Sequence, residues 1–224
     1  MNKTLKLLIA SDTFVFLGFG LIAPILAIYI KDNIVGGSLA AVGLMSTIFL
    51  ISKTIFQLFF SRLFGPKHRF YMVCIGTFLI ICVPFIYVFS TRVWHFYIAQ
   101  LIYGLGGGLA YPAWFSLFAT HLTKGKQAFE WSIYSGLVGG GAGVSAYFGS
   151  ILATNLGFTV TFFVAGILAL TGMIILLGLE KDNLKIILQK EMFLNPRKSK
   201  TLLNPKKEIF FVNKHKPKQV HGIG

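Results

Sequence analysis

Charge is what this sequence has least of. Only 12% of its 224 residues are Asp, Glu, Lys or Arg, about half of what a soluble domain uses to cover its surface. A water-exposed globule is therefore excluded. Cysteine is almost missing: Cys74 and Cys82 both sit inside an apolar run, which excludes a disulfide scaffold. The motifs of soluble enzymes are lacking too. No G-x-x-x-x-G-K-[ST] loop is present to cradle nucleotide phosphates. The glycine runs at 104–108 and 139–143 do not satisfy G-x-G-x-x-G, and they lie inside apolar helices, not after a strand. The histidines form no metal-ligand cluster, since His68, His95 and His121 fall at separate segment ends. No catalysis, metal or cofactor is expected.

What is abundant is apolar. Hydrophobic residues make up 55% of the chain, too many for a disordered polymer, and 23 residues are Phe. A membrane helix needs about 20 apolar residues to cross about 30 Å of hydrocarbon. Six such runs are present, at 7–30, 40–61, 70–89, 93–120, 127–153 and 158–179. The first is longer than the core of a signal peptide, and no small-x-small cleavage site follows it before Lys31, so it is read as a helix. The expected fold class is an all-α integral membrane protein with six transmembrane helices.

The formal net charge is +14, and 11 of the 21 basic residues lie in 181–224. Basic segments next to a membrane stay on its cytoplasmic side. With the N-terminus inside, Lys3, Lys6, Arg62, Lys67, Arg69, Lys124, Lys126 and the tail are all cytoplasmic, while only Lys31 and Arg92 face out. Both termini are thus expected in the cytoplasm, in a plasma or inner membrane. The tail reads as a segment near anionic lipid, not as a nucleic-acid binder. Its start, with Leu184, Ile187, Leu188 and Met192 at helical spacing, suits a short amphipathic helix; beyond Asn195 it is Lys- and Pro-rich, which suits disorder.

Polar groups at membrane depth are costly to insert and mark function by default. Asp12 falls about 7 Å past the inner end of the first span and Lys53 about 12 Å past the inner end of the second, at 1.5 Å per residue. An Asp12–Lys53 pair is within reach; the plainer readings are a packing ion pair or a lysine that snorkels inward. Gln57 and Ser46 share the Lys53 face. In the fourth span Gln100, Tyr103, Gly107, Tyr111 and Trp114 recur at steps of three and four, a stripe suited either to lining a solute cavity or to helix packing. Glu130 opens the fifth span near the inner surface, where Lys124 or Lys126 would pair with it. Gly104 and Gly108, and Gly139 and Gly143, with Gly136, Gly140 and Gly149, leave strips almost free of side chains, which is how membrane helices approach closely. Pro24, Pro84 and Pro112 are expected to kink their helices.

These residues resemble the N-terminal half of a major facilitator superfamily transporter. The stretch SDTFVFLGFGLIAPILAIY (11–29) is similar to the first helix of drug and tetracycline proton antiporters, with Asp12, Gly18, Gly20 and Pro24 in matching places. FYIAQLIYGLGGGLAYPAWFSLFA resembles the family's R-x-x-x-G fourth helix, with Gln100 where the Arg stands. KGKQAFEWSIYSGLVGGGAGVSAYFGSILATNLGFTVTFFVAG is similar to the following loop, the glycine-rich fifth helix and the start of the sixth. The loop motif G-x-x-x-D-R-x-G-R-R is reduced to SRLFGPKHR, which keeps Arg62, Lys67 and Arg69 but not the Asp. The antiporter motif G-x-x-x-G-P-x-x-G-G would fall on Gly141, Ser145, Ala146, Gly149 and Ser150, without its Pro.

The resemblance implies a secondary transporter moving a small-molecule substrate by alternating access, with proton coupling, if used, resting on Asp12 or Glu130. Family members usually carry twelve helices in two halves with the solute between them. Six spans with both ends inside would be completed by a parallel homodimer or a second-half polypeptide, with the glycine face of helix five in the half-to-half contact. The alternatives are a non-transporting membrane interaction protein or an inactive half.

Overall fold

A computed structural model describes residues 1–63 and 68–194, with side chains to Leu179. It is helical almost throughout: α1 (Lys3–Ile22), α2 (Leu26–Asn33), α3 (Leu39–Leu63), α4 (Arg69–Val88), α5 (Val93–His121), α6 (Gln127–Leu156) and α7 (Phe158–Leu194). Among the described residues there is no sheet; a single β-bridge joins Val35 to Arg92. The fold class read from the sequence is the one observed.

The first expected span is two helices, not one. Pro24 has no N–H to give to Gly20, and its ring crowds that carbonyl. α1 accordingly ends with the Ala23 N–H on the Phe19 carbonyl (3.0 Å), and α2 starts again beyond Pro24. Pro84 and Pro112 lie inside α4 and α5 without ending them. α6 and α7 part at Gly157, whose φ of 86° only glycine adopts freely. Val35 bonds to Thr91 and Val93 (3.2 and 3.1 Å), tying the α2–α3 turn to the start of α5. The 184–192 stretch read as an amphipathic helix is helical, as the end of α7. The tail beyond Asn195 and the Gly65–Pro66 turn lie outside the described residues.

Among the described residues five helices are long and apolar enough to cross a membrane: α1, α3, α4, α6 and α7 up to Leu179. α5 has the length, 29 residues, but carries Gln, Tyr and a glycine run in its middle. Its place explains why that is tolerated. α5 packs between α3 and α4 and buries twelve residues, whereas α6 buries four. A helix hidden from lipid has no need of an apolar circumference.

Small residues make these contacts close. A Cβ on Gly104 would meet the Ser52 hydroxyl on α3 and lie 2.9 Å from the Lys53 nitrogen; one on Gly108 would lie 2.6 Å from the Phe56 Cβ. Gly76 and Gly106 face each other across α4 and α5, and Gly149 rests on Leu21 of α1. Gly104 and Gly108 thus lie against α3. Gly139 and Gly143 differ: with Gly136 and Gly140 they have nothing within 4 Å. They pack on nothing in this bundle, because α6 turns its Ser145 and Gly149 side to α1 and leaves the opposite strip open.

Candidate functional site

α1 begins at Lys3, before its apolar run, because a helix carries Lys3 and Lys6 in its first turns as readily as in a loop. The nine-residue step from Lys3 puts Asp12 roughly 14 Å along the helix, twice the depth read from the apolar segment alone. The carboxylate does not meet Lys53. Its Oδ2 accepts a 2.7 Å hydrogen bond from the Tyr134 hydroxyl on α6. Asp12 also borders a small cavity between α1, α4 and α5, closed by Phe16, Thr77, Tyr103, Tyr111 and Trp114 among others. At about 20 Å³ this space has room for one water, which requires about 10–15 Å³, and not for an organic solute. Trp114, which borders the cavity, has a buried Nε1–H that finds no acceptor among the described residues.

Lys53 takes a different neighbour. Its stem passes 3.6 Å from where a Gly107 Cβ would be, and its Nζ lies 4.5 Å from the centre of the Tyr111 ring and 5.8 Å from that of Phe49. Phe49 stacks on Tyr103 (4.3 Å) and Tyr103 on Phe19 (4.8 Å), an aromatic ladder from α3 through α5 to α1. Ten residues separate Lys53 from the end of α3 at Leu63, roughly 15 Å of helix, more than a lysine side chain spans. The rings return about 0.5–2 kcal/mol to the ammonium, while holding it at mid-bilayer costs about 2.5–3.5 kcal/mol. Aromatic contact alone leaves that charge under-compensated. The expected Asp12–Lys53 pair is therefore absent for a geometric reason: Tyr134 claims the carboxylate and Tyr111 holds the ammonium.

Three other expected residues are placed outside this region. Gln100 is buried, donating from Nε2 to the Tyr87 hydroxyl (2.8 Å) on α4. The stripe from Gln100 to Trp114 thus divides: Tyr103, Tyr111 and Trp114 border the cavity, and Gln100 packs toward the start of α5. Glu130 pairs with neither Lys124 nor Lys126. Its oxygens accept from the Thr123 backbone N–H and hydroxyl, each at 2.7 Å, and one lies 3.4 Å from the Met1 amine. It fastens the α5–α6 turn, because a carboxylate one turn into α6 reaches back to the turn's free N–H more easily than a solvated lysine reaches in. Gln57 is half-buried on the Lys53 face of α3, its backbone against Gly108.

Tyr134 and Phe49 were not foreseen. Nothing in an apolar helix distinguishes a tyrosine that serves a buried acid from one that packs; the only hint is that Tyr134 follows Glu130 by one helical turn. Tyr134→Phe removes the sole direct partner of the Asp12 carboxylate among the described residues. Thermal unfolding is expected to show a loss of about 1–3 kcal/mol, the cost of a buried acceptor left unmet, and an unchanged midpoint would refute the role.

The sequence matches the Major Facilitator Superfamily over residues 8–215. It is 30% identical over 162 residues to an uncharacterised MFS-type transporter of Methanocaldococcus jannaschii, covering 71% of this chain and 41% of that protein. It is 25% identical over 182 residues to the quinolone resistance protein NorA of Staphylococcus aureus, covering 81% of this chain and 46% of NorA. Among solved structures, the POT family transporter PepTSo superposes with a TM-score of 0.70 at 17% identity, over 81% of this chain and 38% of its own, a likeness of fold. The chain spans less than half the length of the relatives it matches. It is an integral, multi-pass membrane protein and belongs to the Major Facilitator Superfamily.

Proposed function

We propose that this chain is one six-span half of a secondary transporter, moving a small solute by rocking against a second half, with proton-coupled efflux as the specific activity. The observation that carries the reading is Asp12: an acid about midway through a membrane helix, beside a cavity walled by tyrosines and Trp114. An intramembrane acid in a path is the usual proton or ion site, and the cavity has room for a water next to it. NorA, named for drug resistance, supports efflux as the direction.

The second half is a parallel copy of this chain or a separate polypeptide, seated on the open glycine strip of α6. Both termini face the cytoplasm, which lets two copies meet in one orientation. Gly139→Cys and Gly143→Cys, in a background with Cys74 and Cys82 replaced by Ser and labelled with a thiol-reactive photo-cross-linker in native membranes, should each give a cross-linked species; twice the subunit mass identifies the copy, another mass the separate half. A chain that stays monomeric at both positions would overturn the assembly. A non-transporting interaction protein would form such species without ever passing solute in sealed vesicles.

A further inference from the structure

Resting on that transport reading, we propose that the solute is an aromatic organic anion and that Lys53 is the residue that selects its charge. Lys53 is held, not loose: its stem crosses the notch at Gly107, and its ammonium lies over Tyr111 and near Phe49. Among the described residues no carboxylate lies within ion-pair distance of it; the ion pair present joins the Met1 amine to Glu130. Asp12, the acid deep in the bundle, is engaged by Tyr134 and borders a cavity that Lys53 does not line. A half-buried cation at this depth, without a counter-ion, asks for an anion supplied from outside the bundle.

The surroundings state what else that anion carries. Tyr111 and Phe49 lie beside the ammonium, and Phe49 is backed by Tyr103, so the wall next to the charge is aromatic. A ring on the solute would offset-stack on such a surface while its carboxylate met the ammonium in a charge-assisted hydrogen bond. Gln57, one turn toward the inner end of α3, adds an amide on the same face. The competing source of a carboxylate is an acid on the second half, and the experiment separates the two.

The full chain, reconstituted in nanodiscs, is titrated with three probes of one shape: 2-naphthoate, 2-naphthylmethylamine and 2-naphthalenemethanol. Naphthoate should bind at least about 10-fold more tightly than the amine, with the alcohol between. Lys53→Gln should weaken naphthoate about 10-fold or more and leave the alcohol unchanged, while Lys53→Arg keeps the preference. Retained alcohol binding shows that the variant is folded. Equal affinities for the three probes, or a preference that survives Lys53→Gln, would overturn the anion assignment while leaving transport standing. Loss of the cross-linked species in Lys53→Gln with naphthoate affinity unchanged would assign the counter-ion to the second half instead, also against the proposal. No binding of any probe, together with no solute flux in vesicles, would count against both readings.

Discussion

Gly104→Ala is expected to lower the stability of the bundle by about 1–3 kcal/mol, the usual cost of forcing atoms into a filled interior, and Gly104→Leu to prevent α3 from docking on α5. The added Cβ would run into the Ser52 hydroxyl and stand 2.9 Å from the Lys53 backbone nitrogen. Neither neighbour yields easily. The hydroxyl is held by the Ile48 and Phe49 carbonyls at 2.6 and 3.1 Å, and the nitrogen belongs to the helix ladder. Gly139→Ala is the internal control: with nothing within 4 Å, it should leave stability unchanged or raise it by about 0.5–1 kcal/mol through helix propensity. Thermal unfolding of both variants in detergent, followed by circular dichroism, decides the matter. Matching midpoints would mean that α3 and α5 are not packed through their glycines. The contrast also carries a functional reading, since Gly139→Leu should spare the isolated half and weaken its assembly.

Asp12→Asn should reduce pH-gradient-driven solute flux in liposomes by more than about 10-fold while leaving the fold intact. The amide has the volume of the carboxylate, and its oxygen still accepts from the Tyr134 hydroxyl that lies 2.7 Å away. What it loses is the ability to take up and release a proton at the cavity edge. Asp12→Glu keeps that ability and should retain part of the flux. Counterflow, which exchanges solute without a gradient, should survive in Asp12→Asn if the residue serves coupling alone. Full pH-driven flux in Asp12→Asn would remove Asp12 from the mechanism.

The six-span plan was legible because the bilayer imposes a length on every apolar run, and the breaks at Lys31, Arg62 and Lys124 interrupt those runs plainly. The helices begin and end within a few residues of the expected bounds, with two informative exceptions. Pro24 divides the first span, as its missing N–H requires, and α7 runs past its apolar stretch to Leu194. The packing glycines were half legible. Gly104-x-x-x-Gly108 and Gly139-x-x-x-Gly143 have the same spacing, yet one pair is pressed against α3 and the other faces away from the bundle. Spacing marks a strip on a helix and is silent about which neighbour arrives.

The sequence by itself determined that this chain belongs in a membrane and which few polar residues interrupt its apolar runs, because hydrophobic length and the cost of inserted charge act locally along the chain. Only the tertiary structure decided their partners. Asp12 went to Tyr134, 122 positions away, Lys53 to the ring of Tyr111, Gln100 to Tyr87 and Glu130 to the turn at Thr123. Which ring or hydroxyl reaches a buried charge depends on the rotation of each helix about its own axis, and that rotation is set by small residues on three or four helices at once.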